Sequence, residues 1–269
     1  MSMSHPQQAV TPLYIESSGQ GEDVVLIHGW GMHGGYWQDI VDALQDQYRM
    51  HCIDLPGHGN SDYHNETALD EFVSRIKNTI DAITHEPVHL IGWSLGGLMS
   101  QQLCLRYPER VKSLTLIASS ACFMQRNTWP TAMQKDVLQG FADSLLQDYQ
   151  TSLNRFLALQ VMGSEDQKQI LRDLKSSLFS RGEPDQQALM AGLNLLKEVD
   201  LRSMMSAISV PVQLVGGERD KLVPHTALPC MAELLNTREM HIIKGAGHAP
   251  FLSHPQQLIK IIQSFLSHE

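Results

Sequence analysis

Five consecutive residues, Gly92-Trp93-Ser94-Leu95-Gly96, have the types and spacing for nucleophilic chemistry. A serine hydroxyl is a poor nucleophile at neutral pH, so it must be held clear of its neighbours and within reach of a base. A tight turn from strand to helix does this. It forces Ser94 into a strained backbone conformation, and glycine at 92 and 96 removes side chains that would collide where strand and helix close on each other. The strand-like run Val88 to Ile91 comes before it, and Leu98, Gln101, Gln102 and Leu105 come after it at helical spacing, which sets the pattern apart from a chance match of three fixed positions. The helix would also direct its positive N-terminal end at the place where an oxyanion forms. The chemistry implied is acyl transfer through a covalent serine intermediate.

Such a serine needs a base, and the base needs a partner that fixes its tautomer. In an open parallel sheet, reactive groups gather at the carboxyl ends of strands. His248, in Gly245-Ala-Gly-His-Ala-Pro250, directly follows a strand-like run ending at Ile243 and is the expected base. His28 also follows a strand but precedes Ser94 in a different motif, while His51, His89 and His241 fall within strands and read as structural. The orienting acid is expected between serine and histidine, beyond another strand end. Asp220, in Gly216-Gly-Glu-Arg-Asp-Lys-Leu-Val-Pro224, fits; Glu218 is a close rival and Asp200 a remoter one. Two backbone donors for the oxyanion are expected from Leu95 and from the loop His28-Gly-Trp-Gly31, with Trp30 the donor and its indole a wall of the acyl pocket.

The elements that must position these groups alternate. Leu13 to Glu16 reads as an edge strand, succeeded by strands at Asp23–Ile27, Met50–Asp54, Val88–Ile91 and Val111–Ala118. Helical spacing falls between them at Trp37 to Leu44, at Phe72 to Ile83 and from Ser94 to Tyr107. Alternation of this kind gives an α/β fold with a mostly parallel twisted sheet and helices on both faces. From Cys122 to Val199 strand-like runs vanish. Helical segments take their place, with Phe141, Leu145 and Tyr149 in one, Leu153 to Gln160 in a second, then Ile170 to Phe179 and Gln186 to Leu196. Strands return at Val210–Val215 and Glu239–Ile243, before a last helix at Pro255 to Phe265. The expected organisation is a core in two parts, residues 1–121 and 200–269, with a helical cap inserted over 122–199. Residues 1–9 read as a disordered lead-in.

Composition bounds the partners. The chain has 269 residues, 42% hydrophobic and 18% charged, as in ordinary soluble globular proteins. A net charge of −9 argues against nucleic acid, and any acidic protein partner would need a local basic patch. No basic-then-apolar leader opens the chain, no run is long enough to cross a bilayer, and the four cysteines form no C-x-x-C pair. A monomer in a reducing, cytoplasmic compartment is expected, with no membrane partner. A serine, a histidine and an acid suffice for this chemistry, so neither a metal nor an organic cofactor is expected.

Together, His28-Gly-Trp-Gly31, Asp54-Leu-Pro-Gly-His-Gly-Asn-Ser61, Gly92-Trp-Ser-Leu-Gly96, Asp220 and Gly247-His248 resemble the α/β-hydrolase superfamily from about residue 10 to 267. A narrower resemblance lies in His28–Met32, Gly92–Gly97, Ala118–Phe123, Arg155-Phe-Leu-Ala-Leu-Gln160 and Gly247–Pro255, which look like the esterases that remove the methyl ester from a pimeloyl group on acyl-carrier protein. That resemblance implies a serine carboxylesterase of biotin synthesis. It places Phe156, Leu157, Ala158, Leu159 and Gln160 with Trp30, Ser94, Leu95 and His248 against the substrate. Arg155, Lys168 and Arg172 are candidates for docking the acidic carrier protein, or else belong to a solvated helix face; where a further arginine is expected one turn before Arg155, this chain has Thr151. A broad short-chain carboxylesterase or a carbon–carbon bond hydrolase would use the same serine, histidine and acid. A slow-turnover ligand-binding receptor could keep the same pocket.

Overall fold

Short aliphatic runs bounded by turn residues become the strands, and the structure, a computed structural model, describes residues 11–162, 167–237 and 239–269. The lead-in expected over residues 1–9 lies outside them. The strands are β1 (Ile15–Ser18), β2 (Glu22–Ile27), β3 (Tyr48–Ile53), β4 (Val88–Trp93), β5 (Val111–Ile117), β6 (Val212–Gly217) and β7 (Glu239–Ile243). They form one sheet in the order β1-β3-β2-β4-β5-β6-β7, parallel except for β1, which pairs antiparallel with β3. The edge strand starts at Ile15 rather than Leu13. The Leu13 and Tyr14 N–H groups are taken by the side chains of Thr79 (2.9 Å) and Ser61 (2.8 Å) instead of by a ladder.

Every residue of β4 is buried, as parallel strands covered on both faces require. The covering layers are α1 (Gln38–Leu44) packed beside α10 (Pro255–Leu266), and α2 (Leu69–Ile83) beside α3 (Leu95–Arg106). Ile40, Leu44, Leu258 and Ile262 are fully buried between the first pair and the sheet. At about 1.5–3 kcal/mol each, such side chains supply the main driving force for this layer. Two further helices, α8 (Ala227–Leu235) and the short α9 (Pro250–Ser253), fill the second half.

Between β5 and β6 come four helices in succession, α4 (Lys135–Gln147), α5 (Tyr149–Gln160), α6 (Gln167–Ser177) and α7 (Gln186–Glu198). The spacing that grouped Tyr149 with Phe141 and Leu145 crosses a helix boundary. Asp148 breaks the first helix, and its carboxylate accepts the Thr151 N–H (3.0 Å) to cap the second. The chain leaves the core and returns to it at one point: Cys122 bridges Asp200, and Leu201 N–H donates to Ala121 O at 2.8 Å.

Polar latches tie this helical block down. Tyr36 donates to Leu174 O (3.1 Å), and the fully buried Asp54 receives the Gly34 (2.6 Å) and Asn60 (2.9 Å) N–H groups together with the Arg181 guanidinium at 3.3 Å. Arg181 also pairs with Glu16. Replacing Arg181 by methionine leaves a buried carboxylate without its cation, and the expected loss is about 3 kcal/mol of stability. An equilibrium urea midpoint equal to that of the unaltered protein would contradict this role.

Candidate active site

At the carboxyl end of β4 the chain turns directly into α3, and Ser94 sits on the turn with φ 53° and ψ −117°. A residue with a β-carbon is held in such a conformation, at a cost of about 1–3 kcal/mol, only when its surroundings over-determine it. Here they do. Ser94 N–H donates to Ile117 O (3.0 Å), and Ser94 O receives Leu98 N–H (3.1 Å) and the Ser119 hydroxyl (2.8 Å). The flanking glycines are required by space: a Cβ on Gly92 would lie 2.5 Å from Ser100 Oγ, and one on Gly96 would lie 2.3 Å from Ile27 O. Sequence reasoning missed Ser119. Its only signal is a position just past the end of the adjacent strand β5.

The next two strand ends bring the acid and the imidazole together. β6 and β7 are parallel neighbours, with Gly217 opposite Ile243, and the loops beyond them are stitched by Glu218 N–H to Ile243 O (3.0 Å) and Arg219 N–H to Ala246 O (2.8 Å). Asp220 and His248 thereby meet, Oδ2 to Nδ1 at 2.7 Å, both buried. The other carboxylate oxygen of Asp220 accepts the N–H groups of Leu222 (2.8 Å) and Val223 (2.9 Å), which fixes its plane. A carboxylate facing Nδ1 leaves the proton there and the lone pair on Nε2. Nε2 is buried and has no hydrogen-bond partner among the described residues.

Trp93, one residue before Ser94, closes the arrangement by donating its indole N–H to His248 O at 2.9 Å. Nothing in the spacing marked Trp93 for this task. The rival groups lie elsewhere. Glu218 accepts Gly245 N–H (2.9 Å), Asp200 pairs with Arg202 (2.6 Å), His51 contacts Ser17 (2.7 Å) and Asp23 (2.8 Å), and His89 contacts Ser113 (2.7 Å).

β2 pairs with β4 in parallel, Ile27 opposite Gly92, so the loop His28–Gly31 lies beside the serine turn. The Trp30 indole is committed to the helical block, since Nε1 donates to Leu189 O of α7 (2.8 Å) and its ring meets Phe156 of α5 edge-on at 4.9 Å. Among the described residues, its backbone N–H and that of Leu95, the first residue of α3, take no part in the turn and loop hydrogen bonds.

The stretch 156–160 does not form one wall. Phe156, Leu157 and Gln160 are buried, and Gln160 O receives Ala249 N–H (3.2 Å) from the histidine loop. Both polar atoms of the Gln160 side chain are buried without a partner among the described residues. Ala158 and Leu159 instead line a cleft of about 400 Å³ between α4 and α5, with Phe141 at its side and Arg155 at its rim. Arg155 on α5 and Lys168 and Arg172 on the adjoining α6 are all exposed. Thr151, in the place of an expected arginine, donates its hydroxyl to the Asp148 cap at 2.5 Å. Among the described residues no group of three or more His, Cys, Asp or Glu could hold a metal ion, and no helix is long and apolar enough to cross a membrane.

The sequence model of the family described as alpha/beta hydrolase fold matches residues 24–255. The chain belongs to the α/β-hydrolase family. This hydrolase is 46% identical over 252 residues to a pimeloyl-[acyl-carrier protein] methyl ester esterase of Aeromonas hydrophila subsp. hydrophila, covering 94% of the chain and 98% of the relative. It is 40% identical over 247 residues to the esterase of the same name from Nitrosomonas europaea, covering 92% and 96%. Among solved structures, an esterase from Exiguobacterium antarcticum superposes with a TM-score of 0.86 at 23% identity over 95% of each chain. A bromoperoxidase from Bacillus anthracis reaches the same score at 20% identity, again over 95% of each chain. The α/β-hydrolase fold expected from the motifs is the fold found.

Proposed function

We propose that this hydrolase cleaves the methyl ester of a pimeloyl group carried on acyl-carrier protein, giving pimeloyl-carrier protein and methanol in biotin synthesis. The observation that carries the chemistry is the buried Asp220–His248 pair, its Nε2 without a partner among the described residues, set at strand ends beside the strained Ser94 turn. The choice of substrate rests on the relatives, which span nearly the whole chain.

In this reading Ser94 Oγ attacks the ester carbonyl while His248 Nε2 takes its proton, and Asp220 steadies the imidazolium through Nδ1–H. The tetrahedral oxyanion is held by the N–H groups of Trp30 and Leu95, with the N-terminus of α3 behind them. Collapse breaks the bond to the methoxy oxygen, which leaves as methanol with the proton from His248. Water then gives a proton to His248 and attacks the acyl-serine. The second collapse releases the carboxylate and returns the proton to Ser94.

Residues 122–199 act as the cap, and Phe156 and Gln160 supply its contacts to the acyl chain; the Gln160 amide, buried without a partner among the described residues, supports a polar contact there. Arg155, Lys168 and Arg172 receive the acidic carrier. The protein works as a monomer in the cytoplasm, with which its free thiols Cys52, Cys104, Cys122 and Cys230 accord. Arg155→Glu is expected to lower kcat/KM on the carrier-bound ester about tenfold, while leaving a small free ester within about twofold, because a rim charge acts on encounter with a charged partner. Equal losses on both substrates would count against docking. The function as a whole is tested by growth without biotin in cells lacking the esterase. Rescue is expected, and failure despite soluble expression would point to a general short-chain esterase.

A further inference from the structure

Two buried imidazoles that the proposed chemistry does not use hold the loop carrying Trp30. After β2 the chain runs His28-Gly-Trp-Gly31, and after the neighbouring β3 it reaches Leu55-Pro-Gly-His58. His28 Nδ1 lies 2.8 Å from Gly29 O, and its Nε2 lies 2.9 Å from Leu55 N. A carbonyl can only accept and an amide N–H can only donate, so Nδ1 carries the proton and Nε2 the lone pair. His58 repeats the pattern, with Nδ1 2.9 Å from Pro56 O and Nε2 3.2 Å from Gly31 N. The rings stand 5.4 Å apart and both are buried. Burial holds both below the ordinary histidine range, and His58 further depresses His28. Neutrality is what the geometry needs, because an imidazolium has no lone pair with which to accept.

The consequence lies in the peptide planes. In a trans peptide the carbonyl and the next N–H point in opposite directions, and the described chain contains no cis bond. Gly29 C=O shares its plane with Trp30 N–H. His28 grips that oxygen, so it also sets where the Trp30 N–H points. His58 grips Gly31 N–H and fixes the next plane. The two planes flanking the Trp30 α-carbon are thus pinned by side chains rooted at the ends of β2 and β3, the first with a longer second bond from Met32 N–H to Gly29 O (3.3 Å), and neither ring has a nitrogen left for proton transfer.

We propose that His28 and His58 are positioning residues, a neutral two-imidazole clamp that aims the Trp30 N–H at the oxyanion. The proposal rests on the reading of Trp30 as an oxyanion donor and of Ser94 as nucleophile. It is tested with His58→Asn and His58→Gln. Both put an uncharged amide in the same buried place, but only the glutamine reaches as far as Nε2 does; the asparagine keeps the shorter reach toward Pro56 O. With p-nitrophenyl butyrate, kcat is taken per serine labelled to completion by a fluorophosphonate, and affinity for an alkyl boronic acid reports the tetrahedral state. Loss of an oxyanion donor costs roughly 10²–10³ in kcat, so misaiming one is expected to cost His58→Asn about 30-fold in kcat with KM within about twofold. Boronate affinity should fall in parallel, and His58→Gln should stay within about threefold of the unaltered enzyme on the same scale. A kcat per labelled serine that is the same in all three proteins overturns the clamp, as does an equal loss in both variants. Should a variant not fold, ¹⁵N-histidine spectra of the unaltered protein decide: His28 and His58 are both expected as Nδ1–H tautomers at the pH of activity, and the opposite tautomer or an imidazolium overturns the proposal. Absence of labelling at Ser94 in the unaltered protein would instead overturn the reading of the site on which the clamp rests.

Discussion

Replacing Ser94 by alanine is expected to lower kcat for p-nitrophenyl butyrate by roughly 10⁵-fold, about 7 kcal/mol of transition-state stabilisation, to a residue set by the oxyanion donors and binding alone. The substitution removes the one protein atom proposed to bond to the acyl group. It should leave the fold untouched, because alanine takes the same turn and the bonds that hold it, Ser94 N–H to Ile117 O and the Leu98 N–H and Ser119 hydroxyl to Ser94 O, all use the Ser94 backbone. Stability should therefore stay within about 1 kcal/mol, while Ser94→Gly, which relieves the positive φ, should gain a comparable amount. Retained turnover in Ser94→Ala, measured on protein free of contaminating esterase, would remove the serine from the mechanism.

His248→Ala is expected to cost nearly as much, roughly 10⁵-fold in kcat, and the double variant with Ser94→Ala no more than either single one. An unassisted serine hydroxyl is scarcely nucleophilic at neutral pH, so base and nucleophile act as one unit. The substitution also leaves the buried Asp220 carboxylate without its imidazole but still with the N–H groups of Leu222 and Val223. The acid should accordingly stay in place, and the loss should appear in turnover rather than as unfolding. Multiplicative losses in the double variant would show two independent contributions and contradict a shared step.

The parts of this site legible in the sequence are those in which a residue type and a strand end coincide. Ser94, Asp220 and His248 each come soon after an apolar run, and parallel strands bring the loops at their carboxyl ends to one edge of the sheet. The core strands were legible for the same reason, since continuous aliphatic runs have few other places to go. Helix boundaries within the block were less so. Tyr149 kept the apolar spacing of α4, yet Asp148 offered a cap that competes locally with the helix and ended it.

Supporting contacts were the least visible. Ser119 and Trp93 act through a backbone carbonyl each, at sequence separations of 25 and 155. His28 was visible as a strand-end histidine, but its commitment of both nitrogens to the backbone depends on Leu55, which only the pairing of β2 with β3 brings near. Substrate choice sits where side chains of one helix divide: Phe156 turns to Trp30, and Ala158 and Leu159 to the cleft beside α4. Periodicity marked these residues as a helix without saying which face meets what.

Whether the protein is a pimeloyl-carrier methyl esterase is decided by incubating it, purified, with methyl-pimeloyl acyl-carrier protein and then measuring the intact mass of the carrier. Loss of one methylene equivalent from the carrier with release of methanol is expected, complete with the unaltered enzyme and absent with Ser94→Ala. A carrier of unchanged mass, under conditions where the same enzyme hydrolyses p-nitrophenyl butyrate, would contradict it.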